Sequence, residues 1–148
     1  MNRSQQFPHP RKRAVIFDLD GTLADTMKYE KHHKHHHPKF AKEALKVDII
    51  DKNVDKLKKK AEDNQIVILT ARSAHYKDET KTWLDKHDIP YDKLVMRPSD
   101  DSKTPDQDIK AQLLRSDILP EYKVEKAYDD RKKNIKMFKK HDIPAKKV

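Results

Sequence analysis

The residues best suited to chemistry are two aspartates, Asp18 and Asp20, which are separated by one residue and followed by Gly21. They come directly after the apolar run 14–17, and a short apolar run of this kind is typical of a buried parallel strand. Ligands in open α/β sheets bind outside the carboxyl ends of the strands. We therefore predict that Asp18 and Asp20 lie at such an end and carry the chemistry.

Gly21 is the one glycine of the 148-residue chain. Its place after an Asp-x-Asp pair predicts a backbone geometry that other residues disfavour. A single glycine also excludes two nucleotide-binding motifs, the Walker A loop and the dinucleotide fingerprint, because both need several glycines. The chain is therefore neither a P-loop kinase nor a Rossmann dehydrogenase.

Further polar residues follow the later apolar runs. Because carboxylates that converge on one rim repel each other, we expect a cation among them, and oxygen ligands select a hard divalent ion such as Mg²⁺. Mg²⁺ held by a few carboxylates and by water is typical of phosphate chemistry. These residues are Thr70 and Arg72 after the predicted strand 65–69, Arg97 after the strand 93–96, and Asp129 and Asp130 after the strand 125–128.

Amphipathic segments lie between the strand-like runs and predict the helices that position these residues. The alternation predicts a three-layer α/β fold with a parallel sheet of about five strands. We expect a flexible basic arm at 1–13, one domain over 14–148 and a His-rich loop or small cap at about 27–50. Residues 70–73 are predicted as a loop and Asp106 as a helix N-cap. The predicted helices cover 40–45, a segment from Asn53, 77–86, a segment from Asp106 and a segment that ends near 140, and a last strand begins near 147.

One five-residue segment occurs twice, as Lys86–Pro90 and as Lys140–Pro144. Both copies have the sequence Lys-His-Asp-Ile-Pro and follow a predicted helix. We predict that they form the same connector between a helix and a strand.

A histidine-rich run occupies His32–His37 and is interrupted by Lys34. Imidazole binds zinc or nickel, but such a run is a compositional signal, and we expect a solvated loop with at most adventitious metal binding.

Composition restricts the partners. Lys and Arg number 34 against 25 Asp and Glu, which gives a net charge of +9. This charge favours polyanions such as nucleic acid, although solvated helix faces produce the same excess. The chain has no cysteine, which excludes disulfides and thiol catalysis. We find no apolar run of membrane-spanning length and no signal segment, so we expect no membrane contact and a cytoplasmic location.

The order of these motifs resembles the haloacid dehalogenase (HAD) superfamily of phosphotransferases, with the first motif Asp18–Leu23 as the most specific part. The resemblance implies that Asp18 is the nucleophile, which forms an aspartyl-phosphate, and that Asp20 is the general acid and base. It also implies a Mg²⁺ site made by Asp18, Asp20, Asp129 and Asp130, in which Asp20 contributes its backbone carbonyl.

A closer resemblance is to the phosphatase domains of phage-type polynucleotide kinase/3′-phosphatases. It implies removal of a 3′-phosphate from DNA or RNA ends. Those domains carry an arginine shortly after the first motif, where this chain has Lys28, Lys31 and the histidine run. The phosphoryl-binding lysine is Lys103 or Lys110, and we favour Lys110 because it lies one helical turn after Asp106. The predicted phosphate- or substrate-binding set is Thr70, Arg72, Arg97, Asp106 and Lys110.

Other functions stay open at this point. Within the phosphatases, a 5′-nucleotidase or a general small-molecule phosphomonoesterase is the main alternative. A non-catalytic module that binds nucleic acid or metal is the alternative outside the enzymes.

Overall fold

The computed structural model describes residues 10–27 and 38–148. Most of the predicted basic arm, Lys28, Lys31 and the histidine run lie outside the described residues.

Five parallel strands form one sheet in the order β3-β2-β1-β4-β5, which confirms the predicted α/β class. The central strand β1 is buried from Ala14 onward, and this explains its unbroken apolar run. The edge strand β5 is short and lysine-rich, which protects an exposed edge from pairing with other chains. The strands are β1 (Lys12–Phe17), β2 (Gln65–Ser73), β3 (Lys93–Arg97), β4 (Tyr122–Asp129) and β5 (Ala145–Lys147).

Helices connect successive strands and pack on both faces of the sheet. α4 continues into a π-helical turn, Leu114–Ile118, and a 3₁₀ turn, Ala74–Tyr76, precedes α3. No helix of the described residues is long and apolar enough to span a membrane. The helices are α1 (Pro38–Ala44), α2 (Asp51–Lys60), α3 (Lys77–Lys86), α4 (Asp106–Leu113) and α5 (Lys132–Lys140).

Two hydrophobic cores lie on opposite faces of the sheet. On one face, α4 and α5 bury residues such as Ile109 and Phe138 against β1, β2 and β4. On the other face, α2 and α3 bury residues such as Leu57 and Trp83 against β1 and β2. Because both faces of β1 are covered, the strand end that carries Asp18 is held from both sides.

The predicted loop at residues 70–73 is wrong, because β2 continues to Ser73. The pairing of β2 with β3 shifts between Thr70 and Ser73, where Ser73 pairs with Arg97. Such an irregularity changes the direction of the side chains at a strand end. Residues 70–73, which extend β2 beyond the predicted strand, therefore form part of the sheet edge at which Arg72 lies.

The two Lys-His-Asp-Ile-Pro segments form the same connector, as predicted. Asp88 and Asp142 both have positive φ, 54° and 60°. The amide of Ile89 donates to the carbonyl of Leu84 and that of Asp88 to Asp85. Equivalent bonds follow α5, and together they form the Schellman motif that ends a helix with a left-handed residue.

Candidate active site

Asp18 lies at the end of the central strand, and its side chain is buried. The hydroxyl of Thr22 donates to Oδ2 at 2.9 Å. The ammonium of Lys110 donates to Oδ1 at 2.6 Å. The loop after β1 is held in turn by Asn53 of α2, whose amide donates to the carbonyl of Thr22 at 2.8 Å. The carboxylate therefore has a fixed position at the carboxyl edge of the sheet.

Lys110 joins the first motif to the end of β4. Its Nζ is 2.8 Å from Oδ2 of Asp129, and the lysine is 2% exposed. Asp129 also accepts from the amide of Asn134 at 3.0 Å and from the backbone N–H of Arg131 at 3.0 Å. Lys103, the other candidate from the sequence, is exposed in the loop before α4. The structure therefore places Lys110 rather than Lys103 beside the nucleophile candidate.

Gly21 allows the close approach of Asp130. Its φ is +84°, which confirms the predicted unusual geometry. A Cβ atom at this position would overlap the carboxylate of Asp130, at 2.8 Å from its Cγ. Glycine is thus required here both by the backbone angle and by the neighbouring side chain.

Three carboxylates converge at this edge. Asp18, Asp129 and Asp130 each offer an oxygen within 4.8 Å of the others. Burial raises the pKa of Asp18 well above its usual value, the charge of Asp129 adds to this effect, and Lys110 opposes it. Burial lowers the pKa of Lys110, but Asp129 and Asp18 outweigh it, so that the net change is a rise.

The same charges test whether a metal ion fits the site. Asp18, Asp129 and Asp130 bring three acidic groups within 4.8 Å of one another at an edge where two of them are buried, and like charges this close repel each other unless a cation lies among them. Carboxylate oxygens are the ligands that Mg²⁺ prefers. The residues present therefore fit a hard divalent cation in charge and in donor type.

Asp20 has a different partner. Arg72 of β2 contacts both of its oxygens, through Nη2 to Oδ1 at 2.5 Å and through Nε to Oδ2 at 3.4 Å. Both side chains are almost fully buried. Asp20 is therefore oriented by a planar guanidinium from the neighbouring strand.

Arg72 is itself held by three groups. The hydroxyl of Thr80 on α3 accepts from Nη1 at 3.0 Å. The hydroxyl of Thr70 accepts from the backbone N–H of Arg72 at 3.0 Å. The ring of Phe40, on α1, lies 5.8 Å from the guanidinium carbon. This network places Thr70 beside Arg72 and links α1 to the active-site edge.

Arg97 fastens the loop before α4 and is fully buried. Its guanidinium donates to the carbonyls of Ala71 at 2.8 Å and Thr104 at 2.7 Å and to the carboxylate of Asp106 at 2.8 Å. Asp106 was predicted as the N-cap of α4, but Pro105 occupies that position and Asp106 turns towards Arg97. These contacts of Arg97 hold the loop before α4, the helix that carries Lys110.

Four polar residues that hold the site residues were not predicted as part of the site from the sequence. They are Thr22, Asn53, Thr80 and Asn134. A signal was nevertheless present in the two asparagines. Asn53 lies four residues before the inward Leu57, and Asn134 lies four residues before the inward Phe138. A polar residue on the buried face of an amphipathic helix requires a hydrogen-bond partner. Here the partners are the loop after β1 and Asp129.

Comparison with known proteins gives one family. The family model described as the polynucleotide kinase PNKP phosphatase domain matches residues 12–148 of this chain. A protein of Autographa californica nuclear polyhedrosis virus, named "Putative bifunctional polynucleotide kinase/RNA ligase", is 32% identical over 134 residues, which is 90% of this chain and 19% of that protein.

Solved structures agree with this match. A chain of a Pnkp1/Rnl/Hen1 complex superposes with a TM-score of 0.80 at 29% identity, covering 93% of this chain and 46% of that one. A chain of the Pnkp1/Rnl/Hen1 RNA repair complex gives 0.81 at 27% identity, covering 100% of this chain and 47% of that one. The chain thus spans less than half the length of these relatives.

A more distant structure shows the same fold. A HAD hydrolase of Bacillus subtilis, solved with bound magnesium, gives a TM-score of 0.61 at 12% identity, covering 92% of this chain and 88% of that one.

Proposed function

The chain belongs to the family of polynucleotide kinase PNKP phosphatase domains, which are HAD-type phosphatases, and from this membership we propose that it removes 3′-phosphates from the ends of DNA or RNA. The observation that carries the proposal is the buried cluster of Asp18, Lys110 and Asp129 in a chain that matches the family over 12–148. The relatives named above are polynucleotide kinases or parts of an RNA repair complex, which supports a nucleic-acid end as the substrate.

In the proposed first step, an oxygen of Asp18 attacks the phosphorus atom. The bond between phosphorus and the 3′ oxygen breaks, and Asp20 gives its proton to that leaving oxygen. In the second step Asp20 takes a proton from water, which attacks the aspartyl-phosphate and releases inorganic phosphate. Arg72 supports both steps because it contacts both oxygens of Asp20 and limits their rotation.

Lys110 has two tasks in this proposal. It lies between Asp18 and Asp129, and its ammonium offers positive charge where the phosphoryl oxygens gain negative charge. It also opposes the effect of burial on the pKa of Asp18, and so favours the ionised form that a nucleophile needs. Thr70 supports the same edge through its contact with the backbone of Arg72.

Asp18, Asp129 and Asp130 would hold a Mg²⁺ ion, and the family resemblance adds the backbone carbonyl of Asp20. When bound, the ion supplies charge neutralisation for the phosphoryl group. The protein's own part is to keep the three carboxylates within reach of each other, through Lys110, Asn134 and Gly21.

The test is turnover of a 3′-phosphorylated oligonucleotide, with free nucleoside monophosphates as competing substrates. We expect wild-type protein to release phosphate from the oligonucleotide and Asp18→Asn to lose at least about 10³-fold in kcat, the scale for a residue that forms the covalent intermediate. Asp85→Asn, an exposed position on α3, is the matched control and should retain wild-type activity.

Two outcomes would contradict parts of the proposal. If only nucleoside monophosphates are hydrolysed, the polynucleotide substrate is wrong and the phosphatase assignment stands. If Asp18→Asn remains active, the assignment of Asp18 as the nucleophile is wrong.

A further inference from the structure

Five lysines form one surface on the α2 side of the sheet. Lys52, Lys56 and Lys60 recur every four residues along α2, and this spacing places them on one face of the helix. Lys126 of β4 and Lys146 of β5 lie beside that face. We call these five residues the lysine surface.

Tyr128 lies at the centre of the lysine surface. The Nζ of Lys56 is 5.0 Å from the centre of its ring. Lys146 is the residue paired with Tyr128 in the register of β4 and β5. Lys126 precedes Tyr128 by two residues, so both side chains point to the same face of the sheet. These contacts bring α2, β4 and β5 together around one ring.

Positive charge is in excess on this surface, since α2 itself carries five lysines and two aspartates. None of its lysines makes an ion pair with a described carboxylate, including the exposed Asp51 and Asp55 of the same helix. Burial lowers the pKa of Lys56, and further lowering comes from four lysines, Lys146, Lys52, Lys60 and Lys126. Like charges gathered without a counter-charge produce a field that attracts anions.

The lysine surface begins at the active site. Tyr128 directly precedes Asp129 and stacks on Phe17, which directly precedes Asp18, with ring centres 4.8 Å apart. The first turn of α2 contacts the loop after Asp18 through Asn53. A polyanion that enters the active site with one end can therefore continue along α2.

We propose that the lysine surface binds the phosphodiester backbone of the strand whose terminal phosphate occupies the active site. The inference rests on the proposed function. The rise from Lys52 to Lys60 is about 12 Å, at about 1.5 Å per residue. At about 3.4 Å per phosphate along one strand of a duplex, this length matches three to four phosphates. Lysines meet phosphates as point charges, so the contact is independent of base sequence.

The test compares two triple variants that lose the same charge. The first is Lys52→Gln/Lys60→Gln/Lys146→Gln, and Lys56 is left intact because it packs on the residue before Asp129. The control changes three exposed lysines of α5 on the opposite face of the sheet, Lys133→Gln/Lys136→Gln/Lys140→Gln. We compare the turnover of a 3′-phosphorylated oligonucleotide with that of a nucleoside 3′-monophosphate at several salt concentrations. The oligonucleotide has 15 nucleotides, about four to five times the number of phosphates that the lysine surface would contact.

We expect the first variant to lose about tenfold or more in kcat/KM for the oligonucleotide at low salt and to hydrolyse the mononucleotide normally. The slope of log KM against the logarithm of the salt concentration should decrease by about two, because each lost phosphate contact lowers it by roughly 0.7. The α5 variant should behave as wild type. Equal losses on both substrates, or the same loss in the α5 variant, would overturn the inference.

Binding of the same oligonucleotide without its 3′-phosphate, measured by fluorescence anisotropy, separates this inference from the proposed function. If wild-type protein does not remove the 3′-phosphate but binds the oligonucleotide that lacks it, and the first variant binds that oligonucleotide at least tenfold more weakly, the lysine surface stands and the proposed function fails. If the first variant binds it as wild type does, the inference fails and an acidic protein becomes the remaining candidate partner of this surface.

Discussion

At the scale of single residues, the two aspartates of the first motif differ in the cation that faces them. Asp18 faces the ammonium of Lys110, a compact charge that can exchange one oxygen partner for another. Asp20 faces the guanidinium of Arg72, a planar fork that fixes the direction of a carboxylate. A nucleophile must be ionised, and a general acid must point at the atom that takes its proton. The two partners therefore agree with the proposed roles of Asp18 as nucleophile and Asp20 as general acid and base.

Gly21 provides a prediction at this scale. We expect Gly21→Ala to lower the free energy of unfolding by about 1–3 kcal/mol, because its φ of +84° strains a residue with a Cβ atom and because that atom overlaps Asp130. Mg²⁺ affinity should fall as well, since Asp130 must move. Urea denaturation and calorimetric titration with Mg²⁺ measure the two effects.

A double-mutant cycle separates the two causes. In an Asp130→Ala background the overlap is absent, so Gly21→Ala should cost less stability there, and the remaining cost is that of the backbone angle. An equal cost in both backgrounds would show that Asp130 does not crowd Gly21.

At the scale of elements, sequence periodicity predicted the strands and helices because each pattern reports burial directly. The run at residues 14–17 is apolar throughout since both faces of β1 are covered, and Thr80, Trp83 and Leu84 share the buried face of α3. The path of the chain after Leu69 was not predictable in this way. The extension of β2 depends on its pairing with β3, and pairing is a long-range property that a local pattern does not contain.

The same limit applies to the site. Asp18 and Asp129 were predictable as members because each follows a strand. Lys110 was predictable only through the family resemblance, together with its position one helical turn after Asp106. The pairing of Arg72 with Asp20 was not, since 52 positions separate the two residues and a different strand carries each. The predicted capping role of Asp106 failed because Arg97, at the end of the preceding strand, binds its carboxylate.

The repeated connector gives a prediction at this scale. Asp88 and Asp142 both adopt positive φ, which glycine tolerates better than any other residue. We expect Asp88→Gly and Asp142→Gly each to raise the free energy of unfolding by about 0.5 kcal/mol, the relief of left-handed strain less the greater entropy of glycine in the unfolded chain. Urea denaturation measures both variants.

The matched control is Asp55→Gly, at an exposed position in the middle of α2, which should lower stability by about 0.5–1 kcal/mol. The connectors follow helices on opposite faces of the sheet, so the gains should add in the double variant. A loss of stability in both connector variants would show that the aspartate side chains, and not the backbone angle, determine this turn.

At the scale of the whole molecule, the active site gathers charge of the opposite sign to the net charge of the chain. The chain carries a net charge of +9, yet three carboxylates converge at the active-site edge, and two of them are buried. Positive charge is gathered on exposed faces such as the lysine surface, whereas the three converging carboxylates lie at the carboxyl end of the sheet. This separation suits a substrate that is attracted by the outer surface and processed where a divalent cation balances the carboxylates.

The close approach of three carboxylates, two of them buried, predicts a conflict between stability and function. In EDTA, Asp18→Asn should be more stable than wild type by about 1–3 kcal/mol, because it removes a buried charge that is incompletely compensated. The raised pKa of Asp18, caused first by burial and then by Asp129, indicates the same direction, since the surroundings favour its uncharged form. Asparagine can accept from Lys110 through Oδ1 and donate to the Thr22 hydroxyl through Nδ2, so both partners stay bonded and the main change is the loss of the charge.

Saturating Mg²⁺ should reverse this order. An ion that binds the folded wild type at 100 times its dissociation constant adds about 2.7 kcal/mol, and Asp18→Asn should gain less because it lacks one ligand. Urea denaturation of both proteins, with Asp85→Asn as a control that follows wild type, measures the four values. Two results together would contradict this prediction: Asp18→Asn is less stable than wild type in EDTA, and it gains as much stability from Mg²⁺ as wild type does. The charge of Asp18 would then not lower the stability of the protein, and Asp18 would not be a Mg²⁺ ligand.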